Sequence, residues 1–163
     1  MDYIHVKDTT IVLVVDARLE HERYQRCMVT LREFGTVRYG AAPFPYGQYV
    51  ALDPMGRCYD NAMETVDRYG LKYVEGVLVY NTDRGPFPLA HGWCETQEGQ
   101  IIDPTCHKQQ GRVKAIYCGV PIRPAYSKEW YRRTGYYGCL DGDKEGRPWG
   151  PCYEHPRDWL DRG

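Results

Sequence analysis

The chain has 163 residues, 42% of them hydrophobic, and carries 21 Lys and Arg against 22 Asp and Glu. This length and composition suit one globular domain with a substantial core. The net charge of −1 gives no field that favours nucleic acid or acidic lipid, so we expect neither as a partner. The longest apolar run, residues 11–15, is too short to cross a membrane.

The seven cysteines indicate a reducing compartment rather than a disulfide framework. Their number is odd, their spacing is loose, and the chain is long enough to build a core without covalent crosslinks. Residues 1–5 lack a basic segment followed by a long apolar stretch, the pattern of a secretory signal. We therefore expect a cytoplasmic protein whose thiols are mostly free.

In the first half of the chain, hydrophobic periodicity predicts a buried strand over 10–15 and an amphipathic helix over 18–34. The Pro- and Gly-rich stretch 36–55 predicts a loop with short extended pieces. A second helix is predicted over 57–69, where apolar residues recur every three or four positions and Gly70 supplies a stop.

The second half is predicted to be mostly strands, over 71–80, 88–96, 99–103 and 115–122. A short helix over 127–133 would begin at Ser127 as its N-cap. The Gly-, Pro- and Tyr-rich tail, 134–163, is predicted to be irregular and held by Trp149, Tyr153 and Trp159. The fold class is therefore α+β: one domain over 1–163, with N-terminal helices packed on an antiparallel sheet.

Cys58 stands at or next to the start of the second predicted helix. The free N–H groups of a helix start lower the pKa of a thiol and can bind an oxyanion. Arg57 would add positive charge beside this thiol. Asn61, three residues further on, would either bind substrate or hydrogen-bond the loop before the helix.

His91 and Asp103 lie on two neighbouring predicted strands. If the turn between them is centred on Gln97, the two residues face each other directly across the hairpin. Trp93 would share their face and form a wall of the site. His107 is a rival base in a loop-like segment.

A thiol at a helix start, followed by a histidine and an acid, has the chain order of a cysteine-nucleophile triad. Glu75, on the predicted strand 71–80, would support the site if it points inward, with Arg57 or Arg84 as its partner. No cofactor and no metal are predicted. The alternative, a zinc site, would use one of two loose groups: Cys94, Cys106, His107 and Cys118, or Cys139, Cys152 and His155.

These motifs resemble the core of the papain-like cysteine enzymes, and most closely their transglutaminase-like branch. The matching elements are Cys58 at a helix start, His91 and Trp93 in a His-x-Trp strand, and Asp103 in an Asp-Pro-Thr strand. The resemblance covers about residues 55–122. It implies a papain-like fold and a thioester intermediate, with Cys58 as nucleophile, His91 as base and acid, and Asp103 as the residue that orients His91.

The same stretch is similar to small uncharacterised proteins encoded by bacteriophages and bacteria. Those share a Cys-x-x-Asn-Ala start, here at 58–62, and an internal Glu-Gly, here Glu75-Gly76. Between the histidine and the tryptophan most such relatives have a small apolar residue, where this chain has Gly92. Arylamine acetyltransferases use the same order of cysteine, histidine and aspartate, so the motif order leaves the reaction open.

Two functions follow from this sequence. The first is a thiol hydrolase or acyltransferase that acts on an amide of a protein or peptide substrate. The second is a non-catalytic phage-type protein that binds or inhibits a host protein through tyrosine-rich surfaces in 36–50 and 117–137. The substrate, the choice between hydrolysis and transfer, and the oligomeric state stay open.

Overall fold

The structure is a computed structural model. It describes residues 2–6, 9–13, 21–42, 45–46, 57–82, 85–106, 115–140 and 154–163. At the N-terminal end, strands β1 (Asp2–Val6) and β2 (Thr9–Leu13) form an antiparallel hairpin. Helix α1 (His21–Phe34) follows and ends before Gly35, where the sequence predicted the stop.

The centre of the fold is a five-stranded antiparallel sheet. Its strands lie in the order β3-β7-β4-β5-β6, which places β4 in the middle. Their bounds are β3 (Thr36–Tyr39), β4 (Lys72–Thr82), β5 (Gly85–Glu95), β6 (Ile101–Ile102) and β7 (Ala115–Ile122). The structure therefore confirms an α+β fold with an antiparallel sheet.

Three helices complete the described fold: α2 (Cys58–Tyr69), α3 (Pro124–Thr134) and α4 (Pro156–Trp159). Helix α2 begins at Cys58 and ends at Gly70, whose φ of 67° is the left-handed geometry that glycine adopts at little cost. The predicted N-cap at Ser127 is wrong, because α3 begins three residues earlier at Pro124 and buries Ser127 within the helix. Proline suits a first helical position because it lacks the N–H that would have no partner there.

The β4–β5 hairpin is longer than the sequence indicates. The strands predicted over 71–80 and 88–96 leave residues 81–87 between them as a connection, but β4 and β5 stay paired as far as Thr82 and Gly85. Pairing between the two strands of the hairpin overrides the local turn signals of this stretch. Strand β6, in contrast, is shorter than the strand predicted over 99–103, and its two residues are paired with Cys94 and Glu95 of β5.

The two faces of the sheet carry separate apolar clusters. One face packs against α2 and includes Met63, Tyr73, Cys94 and Cys118. The other face carries a smaller buried cluster formed by Val74, Leu78, Trp93, Ile101, Ala115 and Tyr117. Because antiparallel partners share a face and Val74 is paired with Trp93, His91 belongs to this second face. In the described helices, no segment has the length and apolar character needed to cross a membrane.

The tail is partly ordered against this core. Trp159, in α4, is buried and packs edge-on against Phe34 at 5.9 Å between ring centroids, as the sequence predicted for a tail anchor. The prediction of a wholly irregular tail is wrong, because α4 forms and Leu160 makes a β-bridge with Ile122. Trp149 and Tyr153 lie outside the described residues.

Glu75 holds a second part of the tail. Its buried carboxylate accepts hydrogen bonds from the backbone N–H of Leu140 at 2.8 Å and of Cys139 at 3.1 Å. The Tyr73 hydroxyl donates to the same carboxylate at 2.8 Å. The predicted arginine partner is therefore wrong for Arg57, whose Nε lies 3.7 Å from Asp60, while Arg84 lies outside the described residues.

Replacing Glu75 with alanine should release residues 139–140 from the sheet. Two buried N–H groups would lose their acceptor, at a cost of about 1–3 kcal/mol each in the free energy of unfolding. Amide hydrogen exchange should speed up at Cys139 and Leu140 more than at Cys118, in the centre of β7. The matched control is Glu64→Ala on the exposed face of α2, which should change neither measurement. Unchanged exchange at both tail amides would contradict this role of Glu75.

Candidate active site

A buried histidine–aspartate pair lies at the centre of the second face. The Nε2 atom of His91, on β5, is 2.8 Å from Oδ2 of Asp103, which directly follows β6. His91 is 1% exposed and Asp103 is 0% exposed. The structure therefore brings together the two residues that the sequence assigned as base and orienting acid.

Asp103 is held from four directions. Its Oδ1 atom accepts hydrogen bonds from the backbone N–H groups of Thr105 and Cys106, both at 3.0 Å. Its Oδ2 accepts the Tyr117 hydroxyl at 2.9 Å as well as the His91 ring. These donors favour the ionised form of the carboxylate and fix the orientation of its plane. Asp103 is therefore a rigid hydrogen-bond acceptor for Nε2 of His91.

His91 and Asp103 shift each other's pKa in opposite directions. Burial alone would lower the pKa of His91, but the Asp103 carboxylate outweighs it, and the pKa of the imidazole is raised well above its usual value. Burial alone would raise the pKa of Asp103, yet the charge and hydrogen bond of His91 bring it below its usual value. The arrangement therefore favours a protonated imidazole beside an ionised carboxylate.

The pairing register differs from the one that the sequence predicted. Cys94 is paired with Ile102 and Glu95 with Ile101, so Asp103 falls opposite Trp93 rather than opposite His91. The connection over 96–100 is two residues longer than expected, and Gly99 takes a φ of 81° within it. Since a shift of two residues along one strand keeps every side chain on its face, Asp103 still reaches His91 diagonally.

The thiol of Cys58 completes this cluster. Cys58 is the first residue of α2 and is partly buried, and its thiol is one of the smaller influences that raise the pKa of the His91 imidazole. Because Nε2 of His91 is engaged by Asp103, Nδ1 is the ring nitrogen left for a thiol. The side chain of Arg57, which precedes the helix, carries only donors and so cannot cap the first N–H groups of α2.

Aromatic rings enclose the imidazole on its own face of the sheet. The Trp93 ring is stacked near that of His91, 6.2 Å away between centroids at an interplanar angle of 19°. Tyr117 packs edge-on against Trp93 at 5.2 Å. The predicted role of Trp93 as a wall of the site agrees with this geometry.

Asn61 and Arg57 lie close to Cys58 but have different surroundings. The Asn61 side chain is buried and donates to the Thr105 hydroxyl at 3.2 Å, which joins the first turn of α2 to the segment that follows Asp103. This contact is a structural one, but with the segment after Asp103 rather than with the loop before the helix that the sequence suggested. The Arg57 side chain is 48% exposed, and Glu75 lies on the opposite face of the sheet from His91.

Gly92, between His91 and Trp93, lets α2 approach the sheet. A Cβ atom there would lie 2.7 Å from the Tyr59 ring and 3.2 Å from the Tyr59 Cα atom. The Tyr59 ring has little room to move, because Gly138 and Tyr136 pack against it. The glycine at position 92 therefore permits a close helix–strand contact.

Replacing Gly92 with alanine should push the start of α2 away from β5. We expect a loss of about 1–3 kcal/mol in the free energy of unfolding, the usual cost of overpacking, and slower reaction of Cys58 with iodoacetamide. The control is Ala90→Val, two residues earlier on the same face but exposed, which should change stability by less than about 0.5 kcal/mol. Equal effects of the two substitutions in urea unfolding would contradict this packing argument.

Two residues of the cluster were not predicted from the sequence. Tyr117 reaches Asp103 only because β7 lies two strands away from β5 in the sheet, and no local pattern signals that contact. Cys106 was predicted only as a member of a loose zinc group, with Cys94 and Cys118. Instead, the one group of possible metal ligands among the described residues consists of Cys106, His91 and Asp103. His107 and Cys152 lie outside the described residues.

Comparisons with known proteins give no relative for this chain. No protein-family model, no curated protein and no solved structure matches it.

Proposed function

We propose that this protein is a cysteine-nucleophile hydrolase or acyltransferase that acts on an amide bond. The observation that carries the proposal is the buried His91–Asp103 pair at 2.8 Å, beside which the thiol of Cys58 opens helix α2 and adds to the raised pKa of the imidazole. This order of groups is the one that nucleophilic acyl transfer requires. It also supports the proposed papain-like or transglutaminase-like character of the fold.

In the proposed reaction, His91 holds the proton of the thiol and the sulfur of Cys58 attacks the carbonyl carbon of the amide. His91 then gives this proton to the departing amine, which leaves a thioester on Cys58. Water or a second amine, with His91 as base, attacks the thioester carbonyl and releases the acyl group and the thiol. Asp103 keeps the ring oriented throughout.

The start of α2 would stabilise the negative oxygen that forms at each attack. The first N–H groups of a helix have no partner within it and point away from its body. The intrahelical bond from Asn61 N to Arg57 O belongs to the first turn, and the N–H of Cys58 lies before it at the start of the helix. Such preorganised donors are commonly worth about 3–4 kcal/mol to the transition state.

An activated ester tests the proposal without knowledge of the natural substrate. Reduced, metal-free protein mixed with p-nitrophenyl acetate should release a burst of p-nitrophenol, with the acetyl group located on Cys58 by peptide mass spectrometry. The matched control is Cys27→Ser, a partly buried thiol on α1, which should keep the burst. A well-folded protein that shows no burst, or acetylation at other residues only, would contradict the proposal.

A second candidate is the non-catalytic binding protein. It is favoured by the near-complete burial of His91 and by large exposed aromatic side chains, notably Tyr39 and Tyr131 at 67% and 41% exposure. On this alternative, the cluster only stabilises the fold. The absence of an acetyl burst in a folded protein would favour it.

A further inference from the structure

A tyrosine hydroxyl shares the carboxylate oxygen that binds His91. The hydroxyl of Tyr117 donates a hydrogen bond to Oδ2 of Asp103 at 2.9 Å, and the same oxygen lies 2.8 Å from Nε2 of His91. Tyr117 is 2% exposed and Asp103 is 0% exposed, so bulk water does not replace either donor. Because both donors bind one atom, the hydroxyl lowers the negative charge that this oxygen offers to the imidazole.

The sheet has room for this contact because two glycines lie beside His91. Tyr117 is on β7 and His91 is on β5, with β4 between them. The row of paired residues that starts at His91 continues as Gly76 on β4 and Gly119 on β7. A Cβ atom on Gly119 would overlap the Trp93 ring, which uses part of the space that the row leaves open. The missing side chains leave room for Tyr117 to lie across the sheet towards the site.

We infer that Tyr117 is a positioning residue of the proposed triad, whose hydroxyl fixes Oδ2 of Asp103 as the acceptor for His91 and limits how strongly that oxygen holds the charged imidazole. The inference rests on the proposed function and deepens it, because it adds a residue to the same site. Without the hydroxyl, the carboxylate would favour the charged form of His91 more strongly.

The two halves of the proposed reaction make opposite demands on His91. Attack by the sulfur of Cys58 is favoured when His91 holds the thiol proton. Hydrolysis of the thioester needs His91 without that proton, because the imidazole must then take one from water. Asp103 already favours the charged imidazole. By limiting this preference, the Tyr117 hydroxyl lets His91 serve as the base in the second half.

Tyr117→Phe removes the hydroxyl and keeps the ring that packs edge-on against Trp93. We expect the proton between Nε2 of His91 and Oδ2 of Asp103 to move downfield in the proton NMR spectrum, since this hydrogen bond becomes stronger. With p-nitrophenyl acetate at neutral pH, the acetyl burst should keep its rate. The steady release that follows the burst should slow by roughly 2- to 10-fold, the factor that corresponds to the usual net contribution of one hydrogen bond.

The matched control is Tyr73→Phe. Tyr73 is also buried and donates to a buried carboxylate, that of Glu75 at 2.8 Å, on the face of the sheet opposite His91. Because each variant loses one buried hydroxyl donor, both should lower the urea midpoint of unfolding to a similar extent. Only Tyr117→Phe should move the His91 proton and slow the steady release.

The NMR measurement separates failure of this inference from failure of the proposed function, because it needs no reaction at Cys58. A chain that gives no acetyl burst but shows the downfield shift would lose the proposed function and keep the effect of Tyr117 on the His91–Asp103 bond. The inference is overturned if the His91 proton moves no further in folded Tyr117→Phe than in Tyr73→Phe. It is also overturned if a chain that gives the burst keeps its steady release in Tyr117→Phe.

A measurement on the unmodified chain covers the case in which Tyr117→Phe fails to fold. The hydroxyl proton of Tyr117 and the Nε2 proton of His91 point at one oxygen, so they should give a nuclear Overhauser effect to each other. The absence of this effect, in a spectrum that resolves the Nε2 proton, would overturn the inference.

Discussion

Substitution of Asp103 by alanine should cause the largest loss of stability of any change at the site. His91 would keep its buried position but lose the carboxylate 2.8 Å away, and Tyr117 and two backbone N–H groups would lose their acceptor. Removing one partner of a buried ion pair typically costs about 3–5 kcal/mol in the free energy of unfolding. Urea unfolding at neutral pH measures this loss.

The matched control is Asp67→Ala, which also removes an aspartate from an ion pair. Asp67 lies 2.6 Å from Lys128 on the surface, with 49% of its side chain exposed. An exposed pair of this kind contributes about 0–1 kcal/mol. If Asp103→Ala costs no more than Asp67→Ala, the buried pair does not stabilise the fold as we argue.

The contribution of this pair should also depend on pH in a defined direction. The pKa of His91 is raised, so its contribution is complete below about pH 6.5, the usual value for histidine, and is lost as pH rises through the raised pKa. The pKa of Asp103 is lowered, so its contribution is present above about pH 3.9 and is lost as pH falls through the lowered pKa. The stability difference between the unmodified chain and Asp103→Ala should therefore be largest between about pH 4 and 6.5. A difference that does not change with pH would show that the pair is not ionised in the folded protein.

Substitution of His91 should cause the largest loss of acyl transfer short of removing Cys58 itself. Without the imidazole, the proposed triad loses the group that takes the thiol proton and protonates the leaving group. General acid–base catalysis of this kind contributes about 10²- to 10⁴-fold, so we expect the acetyl burst of His91→Ala to slow by at least about 100-fold. Stopped-flow absorbance of p-nitrophenol gives the rate.

Two further variants make the His91 result specific. His155→Ala removes an exposed histidine that caps α4 and should keep the burst rate of the unmodified chain. His91→Gln retains a polar side chain of similar length and separates loss of the base from loss of the fold, which circular dichroism monitors. A burst of unchanged rate in either folded His91 variant would remove His91 from the mechanism.

Local patterns in the sequence were sufficient to predict the bounds of several helices and strands. Helix α2 begins at Cys58 and ends before Gly70 because its amphipathic repeat and its glycine stop are both short-range features. The strand predicted over 115–122 forms with those bounds, since a short run rich in β-branched residues suits a buried strand. His91 and Asp103 meet for a similar reason, because strand alternation alone assigns both side chains to one face.

Contacts between distant parts of the chain set the features that the sequence did not reveal. The hairpin register depends on the geometry of residues 96–100, which placed Asp103 opposite Trp93. The backbone donors to Glu75 come from residues 139–140, some 64 positions further along, where no pattern indicates a donor. Tyr117 joins the site in the same way, through the order of strands in the sheet, whereas Cys106 is placed locally by the turn that follows Asp103.

The reactivity of Cys58 relative to the other cysteines tests the central claim most directly. Reduced, metal-free protein is treated with limiting iodoacetamide at a series of pH values, and peptide mass spectrometry gives the labelling rate of each cysteine. We predict that Cys58 is labelled fastest towards the acidic end of the series, ahead of the partly buried Cys27, and that it loses this advantage in His91→Ala. Labelling of Cys58 no faster than that of Cys27 across the whole series would contradict the assignment of Cys58 as an activated nucleophile.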